Sequence, residues 1–162
     1  MPTIAITGHM NLTAATARVV DAAIRDLLAA HAPQDLIGLS CLAAGADSIF
    51  AEAVLDHGGA LEVILPAADY RARKVKSEHA KRFDRLLGQA TAAHTMDHAE
   101  SNRAAYETAN ATMLSRAEKL FAVWDGQAPA DQGGTAAVVA AARERGIPVV
   151  VIWPEGAERR QG

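Results

Sequence analysis

The stretch that decides the fold runs from Phe121 to Pro154 and reads FAVWDGQAPADQGGTAAVVAAARERGIPVVVIWP. It begins with a short apolar run, FAVW, and ends with a second one, IPVVVIW. Between them lie a polar loop, the sequence Gly133-Gly134-Thr135 and an alanine-rich segment of helical character. Glycine weakens a helix, so two of them at a helix start indicate a particular backbone geometry or a ligand. The stretch therefore predicts a strand, a glycine loop, a helix and a second strand.

The rest of the chain repeats this alternation of apolar strands and amphipathic helices. Strands are predicted at 3–7, 36–40, 61–65, 91–96, 120–124 and 148–153, and helices at 13–31, 47–57, 75–89, 101–115 and from Gly134. Apolar strands joined through helices favour an α/β fold, a single-domain Rossmann-like doubly wound parallel sheet of about six strands with helices on both faces. Right-handed crossovers favour a strand order such as 3-2-1-4-5-6. We assign 1–154 to this domain and 155–162 to a flexible tail.

Composition restricts the classes of function. The chain has 162 residues, a formal net charge of -3, 50% hydrophobic residues and one cysteine. The negative charge argues against nucleic acid as a partner. No apolar run reaches the roughly 20 residues of a membrane span, and the start lacks the basic region of a secretory signal. We therefore expect a cytoplasmic protein without a membrane partner, and formation of a homo-oligomer stays open.

Three glycine-containing loops follow predicted strands and lead into helices. Parallel strands end at one edge of a sheet, where ligands of such folds bind. The free N–H groups of a helix start favour a phosphate, and glycine lets it approach the backbone. The alternative is that these glycines serve only turn geometry, with Thr135 as a helix cap. The loops are Gly8-His9-Met10, Cys41 to Asp47 and Asp125 to Thr135.

Several further residues have both a ligand-binding and a structural explanation. Asp125 can accept hydrogen bonds from ribose or belong to an Asp-Gly turn with Gly126, and Asp47 can hold a ligand or cap a helix. Asn110 lies on an apolar helix face, where its amide needs a ligand or a backbone partner. The candidate ligand-binding residues are Gly8, His9, Gly45, Asp47, Asn110, Asp125, Gly126, Gly133, Gly134 and Thr135.

Other features carry weaker signals. The sequence contains neither GxGxxG nor GxxxxGK[ST], and no HExxH, so we predict no cofactor and no metal. Cys41 is expected to be a buried, inert thiol. The segment from Asp69 to Arg85 carries seven Lys or Arg and three Asp or Glu. It is either a solvated helix face or a surface that attracts phosphates.

The motifs TGH after the first strand, AAGAD after the second and WDG…GGT before the last helix resemble the SLOG superfamily. That group includes the Lonely Guy (LOG) phosphoribohydrolases, the DNA-processing protein and YpsA-like proteins, and this chain is most similar to small actinobacterial members with an AVWDG…GGT core. The resemblance implies a Rossmann-like fold that binds nucleotides or their derivatives. By motif, it implies a ligand site lined by Gly8, Gly45, Asp47, Gly133, Gly134 and Thr135.

One departure from the LOG pattern bears on catalysis. LOG enzymes resemble one another in PGGxGTxxE, and the chain has Val138 at the position of that glutamate. Valine cannot act as a general base, so nucleotide binding, as in a sensor, is favoured over enzymatic activity, which stays undecided. The alternatives are an N-glycosidase or phosphoribohydrolase acting on nucleoside monophosphates, with Asp125, Glu107 or Glu52 as its carboxylate, and a scaffold or DNA-binding module that uses the basic segment.

Overall fold

A computed structural model describes residues 2–127 and 134–160. It confirms the predicted α/β fold, since strands and helices alternate along the chain and all six strands are parallel. The strands are β1 Thr3–Gly8, β2 Ile37–Ser40, β3 Ala60–Leu65, β4 Ala92–Thr95, β5 Lys119–Val123 and β6 Val149–Val151. The helices are α1 Ala14–Leu28, α2 Ala46–His57, α3 Tyr70–Lys74, α4 Ser77–Gln89, α5 Arg103–Arg116 and α6 Gly134–Glu144.

The sheet has the order β4-β3-β2-β1-β5-β6, which differs from the predicted 3-2-1-4-5-6. β4 pairs with β3 at the edge, and β5 takes the place beside β1. Burial explains the difference: the four residues of β4, AAHT, are mostly exposed, whereas β5 is buried along almost its whole length. A central strand needs apolar side chains on both faces, which β5 supplies and β4 does not.

Side chains that alternate along the strands divide the core into two layers. Ile4 and Ile6 of β1 pack with α1 and α2, and Phe121 of β5 joins the same cluster. Ala5 of β1 lies on the other face, in a cluster that α5 and α6 cover. A third cluster lies beneath α3 and α4. Helices therefore cover both faces of the sheet, as the apolar strands predicted.

Two local features differ from the sequence prediction. The helix predicted at 75–89 is α4 and begins at Ser77, because Val75 and Lys76 have extended backbones, and the short helix α3 that precedes them was not predicted. Residues up to 160 of the predicted tail contact the loop after β1, and Leu12 forms an antiparallel bridge with Arg159. Flexibility of 155–162 stays a prediction. No helix among the described residues is long and apolar enough to cross a membrane.

Candidate functional site

The loops after β1, β2 and β5 meet at the carboxyl edge of the sheet, where the strand order reverses between β1 and β5. The His9 N–H donates to the Val123 carbonyl at 3.1 Å, which joins the first loop to the end of β5. The Ala46 N–H donates to the His9 carbonyl at 3.2 Å, which joins the first loop to the start of α2. We call this edge, together with the start of α6, the switch-point site. Ligands bind at such positions in folds of this kind.

Gly8 and Gly45 allow these loops to approach each other. A Cβ on Gly8 would lie 2.5 Å from the Ala46 Cβ and 2.8 Å from the Val123 Cβ. A Cβ on Gly45 would lie 2.6 Å from the His9 carbonyl oxygen, and Gly45 has a φ of 80°. Both contacts are closer than side chains tolerate, so packing alone requires glycine at these positions. Their predicted part in ligand binding stays a prediction.

His9 and Asp125 form a polar pair at the centre of the site. The Asp125 N–H donates to His9 Nε2 at 3.1 Å, and the Asp125 Oδ1 lies 3.3 Å from the same nitrogen. Burial and the nearby Arg159 lower the pKa of His9, while Asp125 opposes that shift. The ring is therefore neutral near pH 7 and accepts through Nε2. Trp153 packs edge-on against it at 5.6 Å between ring centroids.

Asp125 is fixed as an anion by its neighbours. Partial burial raises its pKa, but the hydrogen bond from the Gln127 N–H at 3.0 Å, the adjacent His9 ring and the nearby Arg159 give a net lowering. The Arg159 Nη1 lies 3.5 Å from the Asp125 Oδ2. An anionic carboxylate can accept hydrogen bonds from hydroxyls of a sugar. Gly126, the next residue, has a φ of 80° and open space beside it.

Asp47 differs from Asp125 in its ionisation. Its Oδ2 accepts the Ala43 N–H at 3.3 Å, in the loop that precedes α2. Desolvation by burial raises its pKa to about 7, against which the Ala43 hydrogen bond acts weakly. Asp47 also raises the pKa values of Cys41 and Tyr70, whose own burial is the larger cause. The protonated and the charged form of Asp47 are thus both populated near neutral pH.

Hydrogen bonds from side chains hold the loop after β2 in place. Leu42 is buried and has a φ of 58°, which is uncommon for a residue with a side chain. The Leu42 N–H donates to Ser40 Oγ, and the Leu42 carbonyl lies 3.0 Å from His79 Nε2. The Ser48 hydroxyl donates to the Ala43 carbonyl at 2.7 Å. The loop therefore presents a fixed backbone to the site.

The start of α6 is partly described. Gly133 lies outside the described residues, whereas Gly134 and Thr135 form the first turn of the helix. Gly134 has a φ of 70°, and no atom lies within 4 Å of a Cβ placed on it. Thr135 is half-buried, and its hydroxyl makes no hydrogen bond with residues 2–127 or 134–160. Unlike Gly8 and Gly45, Gly134 is not required by contacts with the described part of the chain.

A groove of about 370 Å³ between α5 and α6 begins at Gly134. Tyr106, Glu107 and Asn110 of α5 line it opposite the start of α6. The Asn110 side chain is half-buried and makes no hydrogen bond within the described ranges. Met113, which shares the helix face of Asn110, is buried in the core. The structure thus brings Asn110 and Gly134 to one groove.

The carboxylates considered for catalysis are placed differently. Glu52 forms hydrogen bonds with Arg82 and Arg85, which lower its pKa although its burial acts the other way. Glu107 is exposed and forms an ion pair with Arg103 at 3.4 Å. Val138 lies on the buried face of α6 and packs in the core. Glu52 and Glu107 are thus both engaged by arginine side chains, and Val138 carries no carboxyl.

Sequence reasoning missed the part of the C-terminal segment in this site. The Glu158 carbonyl accepts from the Thr13 N–H, and the Glu158 N–H donates to Thr16 Oγ1 at 2.7 Å. The Asn11 side chain bonds both Arg159 and the Arg160 carbonyl. Nothing in the sequence EGAERRQG indicates this packing. Among the described residues there is no group of three His, Cys, Asp or Glu that could hold a metal.

Comparison with solved structures identifies proteins that share this fold. DNA processing protein A from Streptococcus pneumoniae superposes with a TM-score of 0.70 at 17% identity, over 96% of this chain and 52% of that protein. The Helicobacter pylori protein gives 0.69 at 16% identity, over 98% and 68%. The Moco carrier protein from Chlamydomonas reinhardtii gives 0.60 at 22% identity, over 93% and 75%. The chain thus spans about half the length of the pneumococcal protein.

These comparisons correct one expectation. The structure of the Helicobacter pylori protein describes a single-stranded DNA binding mode, so proteins of this fold accept nucleic acid. The expectation that argues against nucleic acid is therefore wrong. Its basis was the net charge of the whole chain, which averages over acidic and basic surfaces and does not describe either.

No protein-family profile matches the chain, and no curated protein matches it significantly. The structural similarity, at these levels of identity, concerns the fold. The motifs TGH, AAGAD and GGT predicted the same architecture. The chain has a Rossmann-like α/β fold, which it shares with these solved structures.

Proposed function

We propose that this chain binds a nucleotide or a nucleotide-derived ligand at the switch-point site, with the ligand phosphate at the start of α6. The observation that carries the proposal is the environment of Gly134, which combines a left-handed backbone with open space at the start of an eleven-residue helix. The first turn of a helix offers free N–H groups and a partial positive charge. Thr135 supplies a hydroxyl that has no partner within the described residues.

The surroundings of Gly134 support an organic ligand in addition to a phosphate. The groove from Gly134 carries an aromatic ring, Tyr106, and an amide, Asn110, on its other wall. A ring can stack on a base and an amide can hydrogen bond its edge. Asp125, an anion at the same edge of the sheet, can accept hydrogen bonds from ribose. The proposed role is binding, as in a sensor.

The test compares two glycines at the two ends of α6. Gly134 has a φ of 70° and Gly146 has a φ of 73°, and neither has an atom within 4 Å of an added Cβ. Alanine at either position therefore costs a similar backbone strain, about 1–2 kcal/mol. Only Gly134→Ala should weaken nucleotide binding, by about tenfold or more, because its methyl group occupies space beside the phosphate.

The measurement begins with a thermal-shift panel of nucleoside phosphates, nucleoside diphosphate sugars and cyclic nucleotides, followed by calorimetry with the ligand found. A ligand selective for the folded state raises the melting temperature. Thr135→Ala should lower affinity by about tenfold, as expected for one hydrogen bond to a charged group, about 1.5 kcal/mol. Equal affinities of Gly134→Ala and Gly146→Ala, or no shift with any compound, would contradict the proposal.

Asp47 is the observation that favours a second candidate, hydrolysis of the N-glycosidic bond of nucleoside monophosphates. A carboxyl with a pKa of about 7 is suited to general acid–base catalysis. Val138 leaves the site without the glutamate of LOG enzymes, so we expect no release of base. Chromatography after long incubation with AMP, CMP, GMP and UMP tests this. Release of base that Asp47→Asn abolishes would establish the enzyme instead.

A further inference from the structure

A second cavity, of about 250 Å³, lies beside the loop after β2 and contains neither Gly134 nor Thr135. Met10 and Asn11 of the loop after β1 form one wall. The loop after β2 forms another, and the connection between α3 and α4 closes a third side. Arg160 of the C-terminal segment completes the lining. Four separate parts of the chain thus converge on this cavity, which we call the basic cavity.

The charges of the basic cavity are predominantly positive. Lys74, Lys76 and Arg160 line it, against one acidic residue, Glu78. None of the three cationic side chains forms an ion pair or a hydrogen bond with residues 2–127 or 134–160. Three cations beside one another repel unless an anion lies between them. The three cations, against one Glu, give the cavity a local excess of two positive charges, an environment that attracts an anion.

Neighbouring cations of the same basic segment are neutralised by protein carboxylates. Arg71 forms a bidentate pair with Asp84, with distances of 2.8 and 2.9 Å. Arg82 and Arg85 both bind Glu52. The segment that the sequence presents as uniformly basic is therefore divided in two. Three of its arginines pair with carboxylates of α2 and α4, whereas Lys74 and Lys76 are unpaired and line the basic cavity.

The local backbone places the cations and adds hydrogen-bond donors. Lys76 has an extended backbone and caps α4, whose start has no side-chain cap. The free N–H groups and partial positive charge of this thirteen-residue helix thus adjoin the cavity. Asn11 holds Arg160 through bonds in both directions, from its Nδ2 to the Arg160 carbonyl and from the Arg160 N–H to its own carbonyl.

Tyr70 adds a hydrogen-bond donor to the lining of the basic cavity. It lines the cavity and is 5% exposed, yet its hydroxyl makes no hydrogen bond with any residue that the structure describes. No fully buried side-chain oxygen or nitrogen of the described residues lacks a partner, so this hydroxyl reaches water from the cavity and is available to a hydrogen-bond partner there. A ligand in the cavity can supply that partner. Burial, with smaller contributions from Asp47 and Cys41, raises the pKa of Tyr70, so the hydroxyl stays a donor.

We propose that the basic cavity binds one or more phosphate groups that together carry at least two negative charges, with Lys74, Lys76 and Arg160 as their ligands. Such a group belongs either to a free polyphosphate, including that of a nucleotide, or to adjacent phosphodiesters of a single-stranded nucleic acid. The two sources share their chemistry and differ in the length of chain that the cavity edge must accommodate. The basic cavity borders the loops after β1 and β2 that also belong to the switch-point site, but it lacks the start of α6 and has its own cations.

The experiment uses inorganic pyrophosphate and an oligothymidylate as probes, in calorimetric titrations at several salt concentrations. The double variant Lys74→Ala/Lys76→Ala should bind either probe at least about tenfold more weakly. Its binding of the oligothymidylate should also depend less on salt, because a complex with fewer phosphate contacts releases fewer counterions. Arg160→Ala should weaken binding about fivefold to tenfold. The matched control is Arg73→Ala/Lys81→Ala, which removes two exposed cations of the same segment that do not line the cavity.

The control should keep its affinity within about twofold, and melting temperatures verify that each variant is folded. Tight binding of pyrophosphate that the oligothymidylate does not displace identifies a free polyphosphate as the ligand. Tight binding of the oligothymidylate that pyrophosphate does not displace identifies nucleic acid. Failure of the wild type to bind either probe would overturn the proposal. So would an equal loss in the control variant, which would indicate attraction by the overall charge. The deciding readout is the dependence on Lys74, Lys76 and Arg160, which have no part in the proposed nucleotide site, so the two proposals can fail separately.

Discussion

Gly45→Ala tests whether the three loops of the switch-point site are held together by close packing. Gly45 precedes α2 and has φ and ψ angles of 80° and -129°, a conformation that residues with a Cβ rarely adopt. An added Cβ would lie 2.6 Å from the His9 carbonyl oxygen and 2.8 Å from the Met10 Cα. These neighbours are backbone atoms, which cannot move aside as the end of a flexible side chain can.

The expected loss of stability has two parts. The backbone conformation costs about 1–3 kcal/mol for a residue with a side chain. Overpacking against the loop after β1 adds about 1–3 kcal/mol. The free energy of unfolding should therefore fall by about 2–6 kcal/mol. In a chain of this size each kcal/mol lowers the melting temperature by about 2–4 °C, so the smallest expected decrease is about 4–8 °C.

Gly126→Ala is the matched control, measured in the same urea and thermal denaturation experiments. Gly126 has the same φ of 80°, but no atom lies within 4 Å of its added Cβ. It should lose only the conformational part, about 1–2 kcal/mol. The two variants should thus differ by at least about 1 kcal/mol. Equal losses would refute the reasoning, because the loop after β1 would then move away from Gly45 at no cost.

Three other perturbations test single contacts. Thr16→Val removes the acceptor of the Glu158 N–H and should lower the free energy of unfolding by about 1–3 kcal/mol in urea, whereas no change would mean that the C-terminal segment is not held there. NMR titration of His9 should give a pKa below 6.5. The free energy of unfolding should therefore fall as the pH drops from 6.5 towards that pKa, and a measured pKa above 6.5 would contradict this. Asp47→Asn should be more stable than the wild type above pH 7. The Asp47 pKa of about 7 in the folded protein exceeds the ordinary 3.8, so wild-type stability declines as the pH rises from 3.8 to 7. Parallel pH profiles of stability for the two proteins would contradict this.

The sequence alone determined the order of elements and the fold class. Apolar runs such as that of β5 and the helical spacing of α1 are local patterns, and each is readable within one element. The glycine loops were recognisable for the same reason, since a turn or helix start depends on a few adjacent residues. The SLOG resemblance rested on these loops, and the structural comparisons confirmed the fold. The candidate residues His9, Asp125 and Gly8 were found because each directly follows a strand or ends one.

Tertiary structure decided which local features meet. Either β4 or β5 can pair with β1, and the structure places β5 there and β4 at the edge. This choice depends on a comparison of the two strands, which the sequence of one strand alone does not give. The raised pKa of Asp47 depends on how completely other elements cover it. The difference between Lys74 and Arg82, two cations of one basic segment, arises because Glu52 on another helix neutralises only the second. Strand order, desolvation and ion pairing all depend on residues distant in the chain, so local patterns cannot encode them.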